Sequence, residues 1–234
     1  IFDINHKVLT TNKTIYRVIL QKSFITAGTE NEIINETVKI LEKNGEKWND
    51  SVPVSMTEPY SFTEKESVTD AFKERIRVNF DATAENCINA LIKKYNIDCE
   101  KYNASEQRVI AGVRYEMELK DFSYDNYFTL ANDVKIDTVT ALKESGFRLN
   151  GIDIIELSDR FYVEDETAPH VLGTVGAISS DEYSALKADG YGYNDTIGKY
   201  GVELAMESVL RGENGERTIS RDSNGHAIAD NITK

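Results

Sequence analysis

Ser184-Ala-Leu-Lys187 is the pattern in this chain that could carry nucleophilic chemistry. Serine acyl-transfer enzymes with a Ser-x-x-Lys pattern use the serine as the nucleophile, and they also need a Ser-x-Asn and a Lys-Thr-Gly segment. Neither additional segment occurs in the sequence. Ser184 also falls inside a predicted short helix, which Ser179 and Glu182 would cap at its start. We therefore interpret the Ser184 match as a chance occurrence of a common four-residue pattern and expect no catalytic residue in this chain.

Two glycine-spaced segments, Gly173-Thr-Val-Gly176 and Gly198-Lys-Tyr-Gly201, are candidates for phosphate-binding loops. Neither has the Gly-x-Gly-x-x-Gly or Gly-Lys-Thr spacing of such loops, so we interpret both as hinges. Among the 40 acidic residues, no pair stands out by its spacing as a hydrolytic pair. The sequence therefore predicts no cofactor.

The histidines and cysteines do not form a metal-binding pattern. His6, His170 and His226 lie far apart, and Cys87 and Cys99 lack the second pair or the nearby histidines of a zinc site. Two interpretations of the cysteines stay open, namely small buried hydrophobic residues and a disulfide bond. We expect no bound metal.

The composition is that of a globular protein, with 234 residues, 40% hydrophobic and 29% charged. A net charge of −13 without a cluster of Lys and Arg argues against nucleic-acid binding. No stretch approaches the roughly 20 apolar residues of a membrane-spanning helix. Because the chain begins with Ile inside a strand-like pattern, we expect a piece of a longer protein whose membrane anchor has been removed.

Strand patterns occur at both ends of the chain, and helix patterns fill the stretch between them. β-branched residues alternate within residues 1–20, residues 114–119 and 152–157 are strand-like, and Asn224-Gly225 is typical of a hairpin turn. The helix patterns lie at residues 33–41, at 68–76 after a capping box of Thr63 and Glu66, at 88–95 after Thr83, from Ser105 onward, and at 136–145.

These patterns predict an α+β fold of two lobes. Residues 1–24 and 147–234 would form a strand-rich platform, and residues 25–146 would be inserted into it as a mainly helical head. The border near residue 147 is the point where glycines become frequent. We expect the N-terminal strands to pair with strands from beyond residue 147, because a lone hairpin is marginally stable in water.

Three ordered segments near the C-terminal end stand out by their spacing. They are Arg160-Phe-Tyr162, Ala168-Pro-His-Val-Leu-Gly-Thr-Val-Gly176, and Asp195-Thr-Ile-Gly-Lys-Tyr-Gly-Val-Glu203 with its continuation Leu210-Arg-Gly212. This spacing predicts an extended segment that enters a glycine turn, and then a glycine-hinged helix that ends at Gly212.

These segments resemble the N-terminal, non-catalytic module of class B penicillin-binding proteins, the enzymes that crosslink bacterial cell-wall peptides. That family has Arg-x-Tyr-Pro, Ala-x-His-x-x-Gly-x-x-Gly and Gly-x-x-Gly-x-Glu segments, and its initial Ile-Tyr-Asp-Arg-Asn-Gly turn is similar to the residues around Asp3. Ile4 stands where the family usually has Arg, His6 where it has Gly, and Val163 where it has Pro. Because the glycine would take a positive φ, Asn5 or His6 must adopt that conformation.

The resemblance implies a set of structural residues with no catalytic, cofactor-binding or metal-binding role. The set consists of Asp3, Arg160, Tyr162, His170, Gly173, Gly176, Gly198, Gly201, Glu203, Arg211 and Gly212.

Glu203 is the polar residue of this set with the clearest need for a partner. It flanks a predicted apolar stripe of the glycine-hinged helix, formed by Val202, Met206, Val209 and Leu210. A carboxylate beside such a stripe loses solvent and needs a cation, although it gains from the helix dipole. We predict that Arg160 is this cation. Arg211 is an alternative partner, and a solvated Glu203 is the remaining alternative.

The resemblance also implies a function. The chain would be the pedestal, or dimerisation, module of a membrane-anchored D,D-transpeptidase on the extracellular face of the bacterial cytoplasmic membrane. Its expected partners are its own transpeptidase domain, cell-wall synthesis membrane proteins such as a polytopic glycan polymerase, and a second copy in a homodimer. Two other classes stay open: an enzyme complete in itself, and an unrelated extracellular ligand-binding or adhesion module.

Overall fold

The computed structural model describes residues 1–163, 169–192, 195–212, 216–221 and 227–233, and it shows a mixed α+β fold. The strands are β1 (Thr10–Leu20), β2 (Phe128–Ala131), β3 (Ile152–Tyr162), β4 (Val175–Ala177), β5 (Thr196–Gly198), β6 (Glu216–Arg221) and β7 (Ala227–Thr233). The α-helices are α1 (Glu30–Lys43), α2 (Glu66–Ile76), α3 (Ala84–Lys94), α4 (Ala104–Leu119), α5 (Ile136–Glu144), α6 (Pro169–Leu172), α7 (Ser180–Leu186), α8 (Gly201–Ala205) and α9 (Glu207–Leu210). Short 3₁₀ helices cover Lys22–Phe24, Gly146–Leu149 and Lys187–Asp189.

A three-stranded sheet has the order β2-β1-β3, so β1 is its central strand. The N–H of Val163 donates to the carbonyl of Leu9 at 3.1 Å, and that of Gln21 donates to the carbonyl of Gly151 at 2.7 Å. The predicted pairing of the N-terminal strand with a strand from beyond residue 147 is therefore confirmed. β2 was not predicted, and it pairs antiparallel with β1 on the other side.

Two further two-stranded sheets follow β3. β4 pairs antiparallel with β5, with Val175 opposite Gly198. β6 pairs with β7, as the predicted C-terminal hairpin requires, but its expected Asn224-Gly225 turn lies outside the described residues.

The residues group into two compact units. The small unit consists of Ile1–Thr14, Ser158–Thr218 and Asn231–Lys234, and the large unit consists of Ile15–Leu157 and Ile219–Asp230. The chain therefore changes unit within each of β1, β3, β6 and β7. The division into a platform and an inserted head, with borders at residues 24 and 147, stays a prediction.

The large unit is built around α4. This helix packs against α1 and α3, and α1 packs against α5. Ile34, Ile88 and Ile110, one from each of α1, α3 and α4, are completely buried. Burial of each such side chain stabilises the fold by about 1.5–3 kcal/mol.

The predicted strand at residues 114–119 is wrong, because α4 continues to Leu119. The buried residues of α4 include 108–113 and 115–117, so the helix is enclosed on most of its sides. A helix enclosed in this way lacks the one-sided apolar pattern of a surface helix. The alternation of Tyr115 and Met117 with charged residues then imitates a strand.

Arg108 fastens the segment that precedes α2 onto α4. Its Nη1 donates to Asp50 Oδ2 at 2.8 Å, and its Nη2 donates to the carbonyls of Val52 and Val54 at 3.2 and 2.9 Å. A Cβ on Gly112, one turn further along α4, would overlap the Asp50 carboxylate. The sequence analysis missed this ion pair, since Asp50 and Arg108 are 58 positions apart.

The predicted capping box of Thr63 and Glu66 is wrong. α2 begins at Glu66, and its N-cap residue Lys65 makes no side-chain cap hydrogen bond. The N–H of Thr63 instead donates to the carbonyl of Pro53 at 3.1 Å, which holds Thr63 in an extended pairing with the preceding segment. The predicted start of α3 at Thr83 is confirmed, since the Thr83 side chain caps that helix.

Cys87 is buried and Cys99 is exposed, and both are free thiols, so the disulfide interpretation is wrong. Within the described ranges, no helix is long and apolar enough to span a bilayer. The same part of the chain contains no group of three or more His, Cys, Asp or Glu residues that could hold a metal ion.

Candidate functional site

Ser184 lies in α7, a short helix that begins with the predicted capping box. Ser179 Oγ accepts from the N–H of Glu182 at 3.3 Å, and Glu182 Oε2 accepts from the N–H of Ser179 at 2.7 Å. The side chains of Ser184 and Lys187 are exposed. A serine nucleophile is activated by an adjacent base in a site that excludes water. This exposed helix surface therefore does not provide the environment that serine acyl transfer needs.

The chain is expected to stay unmodified when it is incubated with a β-lactam. The reason is that Ser184 lacks the two other segments of a serine acyl-transfer site and lies exposed on a capped helix. Mass spectrometry after treatment with penicillin should show only the 26.4 kDa species. A stoichiometric adduct on Ser184 would contradict this assignment, and a Ser184→Ala variant is the matched control.

Glu182 also carries a prediction for pH dependence. The hydrogen bond from Lys199 Nζ, together with those from Ser179, lowers the pKa of Glu182 to about 2. A carboxyl whose pKa is depressed on folding stabilises the fold above its unfolded pKa, near 4.5, and this contribution is lost as pH falls toward about 2. Carboxyl-carbon NMR titration should find the low pKa, and Lys199→Met should raise it toward 4.5. An unchanged Glu182 pKa in that variant would show that Lys199 is not its main cause.

The centre of the candidate site is a bidentate ion pair between Arg160 and Glu203. Arg160 Nε donates to Glu203 Oε1 at 2.8 Å, and Arg160 Nη2 donates to Glu203 Oε2 at 3.0 Å. The side chains are 12% and 2% exposed, so the pair is nearly free of solvent. The predicted contact is confirmed. Removal of either partner would leave the other charge buried and unpaired, which strongly destabilises a fold.

The alternation of β3 determines which way Arg160 faces, and the start of α8 places Glu203. Arg160 lies on β3 between the exposed Ser158–Asp159 segment and exposed Phe161, and successive strand residues face opposite sides. Glu203 lies in the first turn of α8, where Gly201 has a φ of 66°. The first-turn position also favours a carboxylate through the helix dipole. β3 and α8 are thus joined by one guanidinium.

Asn12 is a third member of the site that the sequence analysis missed. Arg160 Nη1 donates to Asn12 Oδ1 at 2.8 Å. The flanking pairs Leu9–Val163 and Gln21–Gly151 place Asn12 directly opposite Arg160 on β1. Arg160 therefore uses three of its nitrogens within the small unit. Strand register, which a sequence alone does not supply, was the missing information.

The predicted apolar stripe of the glycine-hinged helix is wrong. Leu204, Met206 and Val209 are 52%, 45% and 69% exposed, and Glu203 is the buried residue of α8. The cause is a break at Met206, with φ −110° and ψ 15°, which separates α8 from α9. A single helical period therefore does not continue from Val202 to Leu210.

Three glycines of the candidate set allow backbones to touch. A Cβ on Gly173, at φ 83°, would overlap the carbonyl oxygen of Tyr200, and a Cβ on Gly201 would lie 2.5 Å from the carbonyl oxygen of Val171. A Cβ on Gly198 would lie 2.6 Å from the N of Leu204. α6, β5 and α8 are therefore in direct backbone contact, which is a packing role beyond that of hinges.

The two other glycines have different roles. The nearest atoms to a Cβ on Gly176 belong to the flexible side chain of Lys199, with its Cε at 3.1 Å. Gly212 has a φ of 75°, which is common just after the end of a helix. A Cβ at this position would meet no atom within 4 Å. Gly176 is therefore not sterically required, whereas Gly212 is required by its conformation.

Arg211 is not the partner of Glu203. Its guanidinium lies 3.6 Å from the centroid of the Tyr191 ring, and it donates to the carbonyls of Asp189 and Gly190 at 3.0 and 2.5 Å. Asp195 Oδ2 is 3.8 Å from its Nη2. Arg211 thus fixes the segment that leads into β5.

Glu207 was not predicted, although it holds the same segment from α9. Its Oε2 accepts from the N–H of Gly198 at 2.8 Å, and its Oε1 accepts from the Tyr191 hydroxyl at 3.1 Å. Burial, with Glu207 as the next cause, raises the pKa of Tyr191. α8 and α9 therefore hold β3 and β5 respectively through carboxylates four positions apart.

The remaining candidates lie apart from the ion pair. Asp3 Oδ1 accepts from the N–H groups of Asn5 and Lys7 at 2.8 and 2.7 Å, and His6 takes the positive φ of 60° that the resemblance required at Asn5 or His6. The Tyr162 hydroxyl is buried, and this burial raises its pKa. His170 is exposed on α6.

Together, the fold and the site define a structural module in which short helices and strands are held by glycine contacts and buried carboxylates. The family model for the penicillin-binding protein dimerisation domain matches residues 1–234. The chain belongs to this family.

Two relatives agree with this assignment. The peptidoglycan D,D-transpeptidase MrdA of Salmonella typhimurium (strain SL1344) is 28% identical over 49% of this chain and 19% of its own length. Penicillin-binding protein 3 of Bacillus subtilis (strain 168) is 31% identical over 47% of this chain and 16% of its own length. The chain therefore matches less than a fifth of the length of these two proteins.

The fold is similar to that of two solved structures. The match to penicillin-binding protein 2B of Streptococcus pneumoniae (strain 5204) covers 100% of this chain and 37% of that protein's chain, at a TM-score of 0.56 and 17% identity. PBP2 from Helicobacter pylori, solved as a complex with MreC, covers 99% of this chain with 32% of its own, at a TM-score of 0.50 and 16% identity. At these identities the likeness concerns the fold alone.

Proposed function

We propose that this chain is the pedestal of a longer, membrane-anchored class B penicillin-binding protein, and that it positions a transpeptidase domain of the same polypeptide. The family match over residues 1–234 and the transpeptidase relatives support this assignment. The pedestal would stand on the extracellular face of the bacterial cytoplasmic membrane. It would also contact cell-wall synthesis proteins, such as a polytopic glycan polymerase, and a second copy of itself.

The observation that carries the positioning role is a set of exposed apolar side chains in the small unit. It comprises Val171 on α6, Leu204 on α8 and Val209 on α9, together with Tyr200 just before α8 and Met206 just after it. α6 packs against α8, and glycine contacts and ion pairs hold both helices. We call this set the exposed apolar set. Exposed apolar side chains mark a docking surface where they form a contiguous patch, and the proposal assigns this role to the exposed apolar set.

Leu204→Asp and Val209→Asp test the positioning role in the parent protein. The side chains are exposed, so the isolated variants should melt within about 2 °C of the unmodified chain, since exposed substitutions usually change stability by less than about 0.5 kcal/mol. In the parent protein, each substitution should weaken docking of the transpeptidase domain by about 1.5–3 kcal/mol. Differential scanning calorimetry would detect this as a lower midpoint for the transpeptidase domain.

Val68→Asp is the matched control, because Val68 is an exposed apolar residue of α2 in the large unit. It should leave the midpoint of the transpeptidase domain unchanged. Equal effects of Val68→Asp and Val209→Asp, or no effect of Val209→Asp, would contradict the assignment of the exposed apolar set.

The proposed partners are supported by a neighbour that was solved as an assembly, the PBP2–MreC complex from Helicobacter pylori. A pull-down from membranes with the full-length parent would test which cell-wall synthesis proteins bind. Sedimentation of the isolated chain over a concentration series would test the homodimer, and a constant monomer mass would exclude it.

A further inference from the structure

The three methionines of the chain, Met56, Met117 and Met206, differ in their access to solvent. Met206 is 45% exposed and Met56 is 36% exposed, whereas Met117 is 4% exposed and packs in the hydrophobic core of the large unit. A peroxide oxidises a thioether only where it can reach the sulfur, so exposure decides which methionines react. Met206 and Met56 are therefore open to oxidation, and Met117 is protected.

Met206 lies at the break between α8 and α9, where hydrogen bonds hold its main chain on both sides. Its N–H donates to the carbonyl of Val202 at 2.9 Å, and its carbonyl accepts from the N–H groups of Val209 and Leu210, each at 2.9 Å. These bonds fix the point from which the side chain projects, while the side chain itself remains exposed. A chemical change of this side chain would therefore alter the surface and leave the fold of the small unit in place.

Oxidation would replace an apolar side chain of the exposed apolar set by a polar one. A lone pair of the Met206 sulfur forms a bond to one oxygen of hydrogen peroxide, the O–O bond breaks, and the second oxygen leaves as water. The sulfur is oxidised and the peroxide is reduced. The product, methionine sulfoxide, is polar, and reductases can return it to methionine.

We propose that Met206 is a site of reversible oxidation that weakens the docking of the transpeptidase domain onto the exposed apolar set. This inference rests on the proposed positioning role of that set. Burial of a methionine side chain stabilises a contact enough that its conversion to a polar group should weaken docking by about tenfold. Met56 belongs to the large unit and lies outside the set, so its oxidation should leave docking unchanged.

Peroxide treatment of the isolated chain tests the reactivity. Peptide mapping by mass spectrometry should find Met206 oxidised at least about tenfold faster than Met117, because a buried side chain reacts only when the structure opens locally. In a Met56→Leu chain, oxidation of Met206 should lower the melting temperature by less than about 2 °C, as for other changes of exposed side chains. Equal rates at Met206 and Met117, or unfolding that accompanies oxidation of Met206, would overturn the proposal whatever the role of the exposed apolar set.

Peroxide treatment of the parent protein tests the consequence for docking. It should lower the calorimetric midpoint of the transpeptidase domain, and a methionine sulfoxide reductase should restore that midpoint. Met206→Leu keeps an apolar side chain of similar volume and should reduce the loss, whereas Met56→Leu, the matched control, should not. An equal loss in both variants, or no loss where Val209→Asp does lower the midpoint, would overturn the proposal. A midpoint that neither peroxide nor Val209→Asp changes would overturn the positioning role and this inference together.

Discussion

Gly173→Ala is expected to destabilise the small unit by about 3 kcal/mol or more, although it adds a single methyl group. A residue other than glycine at a left-handed φ costs about 1–2 kcal/mol, and the new Cβ would also overlap the Tyr200 carbonyl oxygen. Backbone atoms at this contact cannot move away as a flexible side chain could. For a chain of this size, the melting temperature should fall by about 6–12 °C.

Gly176→Ala is the matched control, since it belongs to the same sequence segment. Its nearest neighbours are atoms of the Lys199 side chain, which can rotate away. We expect a change below about 1 kcal/mol. Thermal denaturation followed by circular dichroism would measure both variants, and equal losses would contradict the distinction between backbone contact and side-chain contact.

The sequence singled out three glycines that the fold requires, together with Gly176, which it does not require, and it did not reveal the reason. Spacing singled out Gly173, Gly198 and Gly201 as hinges, because glycine is the residue that permits positive φ. Gly198 has no such φ, and its requirement comes from the backbone of α8 next to it. Contacts between segments that are distant in sequence depend on the assembled fold, so local patterns do not reveal them.

Arg160→Ala is expected to cost about 3–5 kcal/mol, because it would leave the buried carboxylate of Glu203 without a partner. The melting temperature should fall by about 6–20 °C. In the full-length parent, we expect unchanged acylation by β-lactams together with weaker support of wall synthesis, since the platform would loosen while the proposed transpeptidase domain stays intact. Fluorescent penicillin labelling and complementation would measure the two properties.

A double-mutant cycle isolates the pair itself. Arg160→Met combined with Glu203→Leu removes both charges and should recover part of the stability that Arg160→Met alone loses. Lys199→Ala is a control in the same unit, because its ion pair with Glu182 is partly exposed and should contribute less to stability than the buried Arg160–Glu203 pair. An unchanged melting temperature of Arg160→Ala would contradict the energetic claim.

The Arg160–Glu203 contact was predictable because a carboxylate next to apolar residues needs a cation, and a guanidinium is the best-shaped one. The apolar stripe that this prediction assumed for the glycine-hinged helix is absent, because the helix breaks at Met206. Glu203 is buried nevertheless, because β3 and the backbone contact at Gly198 supply its environment. The roles of Asn12 and Glu207 required the strand register and the path of the segment before β5.

The small unit joins residues 1–14 to residues 158–218, with the large unit's residues 15–157 between them. Asn12 and Arg160 are 148 positions apart, so at a synthesis rate of about 5–20 residues per second Asn12 waits roughly 7–30 s before its partner exists. Contacts between residues so far apart in sequence also form slowly, because the chain between them must first close into a loop. The first segment of the chain therefore emerges as an unpaired strand edge, while the large unit can already assemble behind it. During that interval residues 10–14 of β1 lack their β3 partners, so this stretch of the strand is open to aggregation.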